Sequence, residues 1–162
     1  MATPTNLPAA QTTGAVLTAA YMNDLRGAFR ILQVVSASIT SLGSTTSSTY
    51  ADTGLSVSIT PQSSTSKFLV LVTQSSYNGS AGQGIGVSLV RNSTNVQVTN
   101  DGVYGATTAI VGNIVIFALD SPATTSAITY KTQFARNSGT ATPVYIQVNS
   151  NPSTIIVCEV SA

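Results

Sequence analysis

Apolar and polar positions alternate with period two along most of this chain. Leu55, Val57 and Ile59 alternate with Ser56, Ser58 and Thr60, which predicts a strand with one apolar and one polar face. Pro61 and the run Ser63–Ser66 end it. Between Lys67 and Thr73, the residues Phe68, Leu69, Val70, Leu71 and Val72 are apolar on both faces. That is the pattern of a central strand, or of one lying beneath a subunit contact. Further strands are expected at Gln33–Thr40, Thr49–Asp52, Ile85–Arg91, Asn95–Thr99 and Ala109–Leu119, then at Ala127–Arg136, Val144–Asn149 and Thr154–Val160. Asn100-Asp101-Gly102, Asp120-Ser121-Pro122, Asn137-Ser138-Gly139 and Asn151-Pro152 supply turns between them. About nine or ten short strands roughly a dozen residues apart, with no helical pattern between them, predict an antiparallel β-sandwich of jelly-roll-like type over residues 31–162.

The first thirty residues follow a different pattern. Pro4 and Pro8 among small polar residues suit an extended arm. Thr18 then stands as an N-cap, and the residues from Ala19 to about Arg30 suit a short helix. Leu17, Tyr21, Leu25, Ala28 and Leu32 fall on one apolar stripe, with Phe29 beside it. A helix of about a dozen residues is marginal alone in water. It needs a partner, either its own β-domain or the same helix of a neighbouring chain. Residues 1–30 are therefore expected to anchor or oligomerise the protein through Leu17, Tyr21, Leu25, Ala28 and Phe29.

Composition sharpens this picture. The 162 residues suffice for one domain with a sizeable core. Charged residues make up 7%, against about 25% in an ordinary soluble domain, and the net charge is +1. Little electrostatic repulsion keeps copies apart, which suits life inside an assembly. The single cysteine, Cys158, cannot form an intrachain disulfide and is expected to be a small buried apolar side chain. No basic start leads into an apolar stretch, so no signal peptide is expected, and no segment is apolar for long enough to span a bilayer.

The sequence offers little for chemistry. It contains no histidine, the commonest general base and a frequent zinc ligand. No serine lies in a Gly-x-Ser-x-Gly elbow. The five carboxylates, Asp24, Asp52, Asp101, Asp120 and Glu159, are scattered, whereas a glycosidase needs two flanking one bond. The glycine-rich stretch Gly79–Gly86 precedes a strand and contains no lysine, unlike a phosphate-binding loop, and reads as a flexible surface loop. Six dispersed basic residues make no nucleic-acid footprint. The chain is thus expected not to be an enzyme, and to have no catalytic, cofactor-binding or metal site. What remains is surface. Tyrosines stack on sugar rings, although most of them here are expected to close the ends of the sandwich. The loops Tyr77–Gly86 and Thr99–Thr108 are the longest glycine-rich excursions, so Tyr77, Asn78, Gln83, Asp101 and Tyr104 are the candidate recognition residues.

Two motifs carry a resemblance. Tyr50-Ala51-Asp52-Thr53-Gly54-Leu55-Ser56-Val57-Ser58-Ile59-Thr60-Pro61 is followed through a Ser/Thr loop by Ser66-Lys67-Phe68-Leu69-Val70-Leu71-Val72. Leu32-Gln33-Val34-Val35 precedes this stretch and Ile156-Val157-Cys158-Glu159-Val160 closes the chain. Together they resemble a recurrent module of bacteriophage tail fibres and related virion appendages. Gly14-Ala15-Val16-Leu17-Thr18-Ala19-Ala20-Tyr21-Met22-Asn23-Asp24-Leu25 is similar to the opening of many phage fibre and minor tail proteins. The resemblance implies a virion protein: a β-sandwich that associates as a homotrimer, is held to other virion proteins by its N-terminal arm and can touch a host-surface glycan. Unlike a long fibre, the chain has one sandwich and no shaft repeats, which equally suits a capsid decoration protein or head fibre.

Overall fold

The strongest alternation, at residues 51–59, forms a strand whose odd-numbered residues Thr53, Leu55, Val57 and Ile59 turn inward while Asp52, Ser56 and Ser58 face solvent. The same rule organises the computed structural model, which describes residues 31–139 and 142–161. Its strands are β1 (Ile31–Ile39), β2 (Gly43–Thr45), β3 (Ala51–Ile59), β4 (Lys67–Tyr77) and β5 (Gln83–Arg91), followed by β6 (Thr94–Gly105), β7 (Val111–Asp120), β8 (Ile128–Ser138), β9 (Val144–Ile146) and β10 (Ser153–Val160). The helix expected from Ala19 to Arg30, with its residues Leu17, Tyr21, Leu25, Ala28 and Phe29, lies outside the described residues.

The strands form two antiparallel sheets. In the first, which we call sheet A, β4 pairs with β10 and β9 along one edge and with β7 along the other; β1 lies beyond β10, and β2 beyond β9. The second, sheet B, has the order β3-β8-β5-β6. Long connections cross from one sheet to the other, so eight strands wind as the double Greek key of a jelly roll. The expected sandwich is therefore the observed fold. The core lies between the sheets, with Phe68, Val70, Val72, Ile114, Ile116, Ile155 and Val157 from sheet A meeting Leu55, Ile85, Val87, Leu89, Tyr130 and Phe134 from sheet B.

A polar chain crosses this core at one level. The Thr53 and Thr132 hydroxyls lie 2.6 Å apart, Thr132 donates to Gln74 Oε1, and the Gln74 amide donates to Ser153 Oγ. The Gln147 amide donates to the same serine oxygen. Gln74, Thr132, Gln147 and Ser153 are completely buried, and each of these bonds offsets the cost of taking a polar group out of water. Since Gln74 belongs to β4 and Thr132 to β8, the chain ties the two sheets together.

Three details differ from the sequence expectation. Gly84 lies inside β5, not in a flexible loop, as does Gly86, which the expected strand Ile85–Arg91 contains, and at both positions neighbours press on the backbone. A side chain on Gly84 would collide with the Asp101 carboxylate, and one on Gly86 with the Tyr50 hydroxyl. Asn100-Asp101-Gly102 does not end a strand. It forms a bulge within β6, with Asp101 in the left-handed region (φ 48°). The strand expected at Val144–Asn149 stops at Ile146, because Gln147, Asn149 and Ser150 all take positive φ in a tight left-handed turn.

Candidate functional site

In sheet B most outward positions are polar, although Val90 and Val98 share the rows of Lys131 and Gln133. Ser58 and Thr129 hydroxyls pair at 2.7 Å, and Lys131 and Gln133 both donate to the Asp52 carboxylate, at 2.8 and 2.7 Å. The Lys131 bond, followed by that of Gln133, holds the Asp52 carboxyl below the usual carboxylate range. Sheet A is different. Its register aligns Val34, Cys158, Leu69 and Leu119 in one outward row, and Ser36, Ile156, Leu71 and Phe117 in the next. A third row holds Ser38, Thr154, Thr73 and Val115. Phe117 is 65% exposed, Leu119 64% and Val34 55%, so a large part of this apolar surface faces solvent. None of the three rows carries a charge; Lys67 stands at the rim, opposite Val160.

The same face ends, beyond Ser75, in an aromatic groove. Tyr77 and Tyr145 are cross-strand neighbours with ring centroids 5.6 Å apart. With Leu42, Val148 and Asn149 they line a shallow depression of about 230 Å³. Among the described residues no ionisable side chain other than the two phenols borders it.

The expected recognition residues divide. Tyr77 lines this groove, Tyr104 is exposed on β6, and Asp101 is exposed and accepts a hydrogen bond from Ser138. Asn78 and Gln83 are completely buried. The Asn78 amide donates to the carbonyls of Ser80 and Gln83 and its oxygen accepts from the Ile110 N–H, while Gln83 donates to the Thr142 carbonyl. Both are corrected from surface contacts to loop braces: a loop that turns back over the sandwich end must satisfy its own backbone groups. The structure therefore does not gather the five residues into one surface.

Two groups escaped the sequence reading. Glu159 is buried, and its carboxylate accepts from the Gln33 amide at 2.6 Å and the Gln62 N–H at 2.7 Å. Burial works to raise its pKa, but Ser66, Gln33 and the N–H groups of Gln62 and Ser63 together hold it below the usual range. It thereby fastens the Ser/Thr loop between β3 and β4 to β10 and β1. In the same row, on the other side of Phe68, Asp120 Oδ2 accepts from Arg91 at 2.5 Å and from the Tyr130 hydroxyl at 2.7 Å. Burial first, and then this bond to Asp120, push the Tyr130 hydroxyl far above its ordinary pKa, so it keeps its proton. Cys158 is buried as expected, although it points to the outer side of the sheet between Val34 and Leu69. Among the described residues no helix is long and apolar enough to cross a membrane.

No protein-family model matches the chain, and no curated protein does. Solved structures match at the level of the fold. One is a Stig cyclase, FisC from Fischerella sp. TAU, at 14% identity and a TM-score of 0.38, with 67% of this chain and 57% of that one covered. Another is the VP2 subviral particle of infectious bursal disease virus, at 15% identity and a TM-score of 0.41, with 80% and 38% covered. The Gt strain of the same virus matches at 15% identity and a TM-score of 0.39, with 82% and 39% covered. This chain thus spans less than two thirds of each of these proteins. The expectation that the chain is not an enzyme is corrected by the first match, which is itself an enzyme. At that TM-score the likeness gives this chain no activity of its own.

Proposed function

We propose that this chain is a structural protein of a bacteriophage virion, a surface appendage of tail-fibre or minor-tail type that mediates attachment to the host. The observation that carries the reading is an apolar patch on the outer face of sheet A, around Leu69, Leu71, Phe117 and Leu119, in a chain with 7% charged residues. A protein of that composition is suited to standing against other protein surfaces, with its exposed apolar patch marking the contact. The fibre-module motif supports the same reading, because its two halves fold as β3 and β4, the strands that lead the chain from sheet B into sheet A. In this reading the protein is a homotrimer, and residues 1–30 hold it to other virion proteins. Tyr77 and Tyr145 offer two rings on which a neutral host glycan can stack.

Immunogold electron microscopy of intact particles, with antibody raised against the purified chain, tests the reading. Gold at the tail is the expected result. Gold across the head makes the protein a capsid decoration or head-fibre protein instead. Particles that bind no gold overturn a place on the virion altogether.

A further inference from the structure

We infer that the outer face of sheet A is the surface on which a second copy of this chain packs, the β7 side of one copy lying over the β1 side of the next. The inference rests on the self-association proposed above, but not on the protein's place on a particle.

Four observations lead to a second copy as the occupant. First, a water-facing antiparallel sheet buries one face and leaves the other mostly polar, as sheet B does with Asp52, Ser56, Ser58, Thr129, Lys131 and Gln133. Sheet A instead carries Leu69, Leu71, Phe117, Leu119 and Ile156 outward, close together in adjacent rows. Second, the three rows hold no charge. Nothing on them selects a basic or acidic partner, and two identical copies meet there without repulsion. Third, the relief is graded. The β7 side stands high with Val115 and Phe117, whereas the β1 side is low in the same two rows, with Ser38 and Ser36; in the third row Val34 stands opposite Leu119. With the two faces opposed, high side over low side seats β7 of each copy above β1 of the other. Fourth, the area suffices. Four strands about 4.8 Å apart and about eight residues long present on the order of 500 Å² in projection. Side-chain relief brings the accessible surface toward the roughly 800 Å² per partner of a standard interface.

The open edge of β7 fits the same conclusion. Among the described residues it pairs with β4 alone, and it has no lysine or proline along its ten residues. Its one charge, Asp120, is held by Arg91 and Tyr130. Edges that face water are kept from pairing by charges, prolines or bulges, and β6, the open edge of sheet B, is interrupted by the bulge at Asp101.

Light scattering coupled to size exclusion, run on the full chain over a dilution series, tests the inference. The wild type is expected to be an oligomer. Phe117→Lys with Leu119→Lys should raise the concentration at which it assembles at least about tenfold, with the circular dichroism of the folded sandwich retained. Ser36→Lys with Ser38→Lys alters the low side at exposed positions that bear no part of the core, and is expected to do the same. Ser56→Lys with Ser58→Lys, on the outer face of sheet B, should leave assembly unchanged. A wild type that is monomeric at its highest soluble concentration overturns the inference, and a face still protected in that monomer points to residues 17–30 as its cover. Assembly unmoved by the serine pair of β1 also overturns it. Each result is independent of the gold labelling, so the two readings fail separately.

Discussion

The outward faces of the two sheets are made from strands of the same length and the same alternation, yet one carries hydroxyls and an ion pair and the other carries leucine, isoleucine and phenylalanine. On sheet B, Ser58 meets Thr129, and Lys131 and Gln133 meet Asp52. On sheet A, Leu71 meets Phe117 on one side and Ile156 on the other. Period two decides only that a residue points outward. Whether that position is polar depends on what it will face, and the proposed packing of a second copy over sheet A accounts for the difference between the sheets.

The comparison can be broken most sharply within β4, where Val70 points inward and Leu71 outward. Val70→Asp buries an unpaired carboxylate in the core and should cost several kcal/mol, leaving no cooperative thermal transition. Leu71→Asp, one residue on, should keep the folded circular dichroism spectrum and lose assembly. If both variants unfold alike, the outer face is structural core and the contrast between the sheets disappears. Thr132→Val comes next in size. It removes the donor to Gln74 Oε1 inside the core and should lower stability by about 1–3 kcal/mol in denaturant titration.

Acid gives a third test. The Glu159 carboxyl has a folded pKa held below its unfolded value, so its contribution is present above the unfolded carboxylate range, near pH 4.5, and is lost as pH falls through the folded value. The difference in melting temperature between wild type and Glu159→Gln should therefore be widest above about pH 5 and shrink as pH falls below about 4. A difference that stays constant across that range would remove the ionised carboxylate from the account. The smallest effect belongs to sheet B. Lys131→Ala breaks an ion pair with an exposed Asp52 and should change stability by less than about 1 kcal/mol in the same titration.

The sandwich was legible because its information is local. Leu55, Val57 and Ile59 announce their own inward face, and all three pack in or against the core. The stretch from Phe68 to Val72 was legible too, since apolar residues on both faces leave few other environments. The strand at Ala109–Leu119 was expected, but its outward Phe117 and Leu119 acquire meaning only beside Leu71 and Leu69, more than forty residues earlier, and no pattern in the strand itself shows that pairing. Gly84 reads as part of a loop for the same reason: the residue that presses on it, Asp101, comes from a more distant part of the chain. Asn78 and Gln83 look like surface amides in any loop, and only the path of the chain over the sandwich end turns them inward. Glu159 finds Gln33 across 126 residues, so its burial had no local signal apart from the apolar company it keeps.

Hydrogen–deuterium exchange of the full chain at high and low concentration tests most directly whether the two sides of the sandwich differ in their surroundings. The account predicts that peptides from β7, residues 111–120, exchange slowly at high concentration and markedly faster on dilution, while peptides from β6, residues 94–105, exchange alike at both. Equal behaviour of the two edge strands, whether both respond to dilution or neither does, would contradict it.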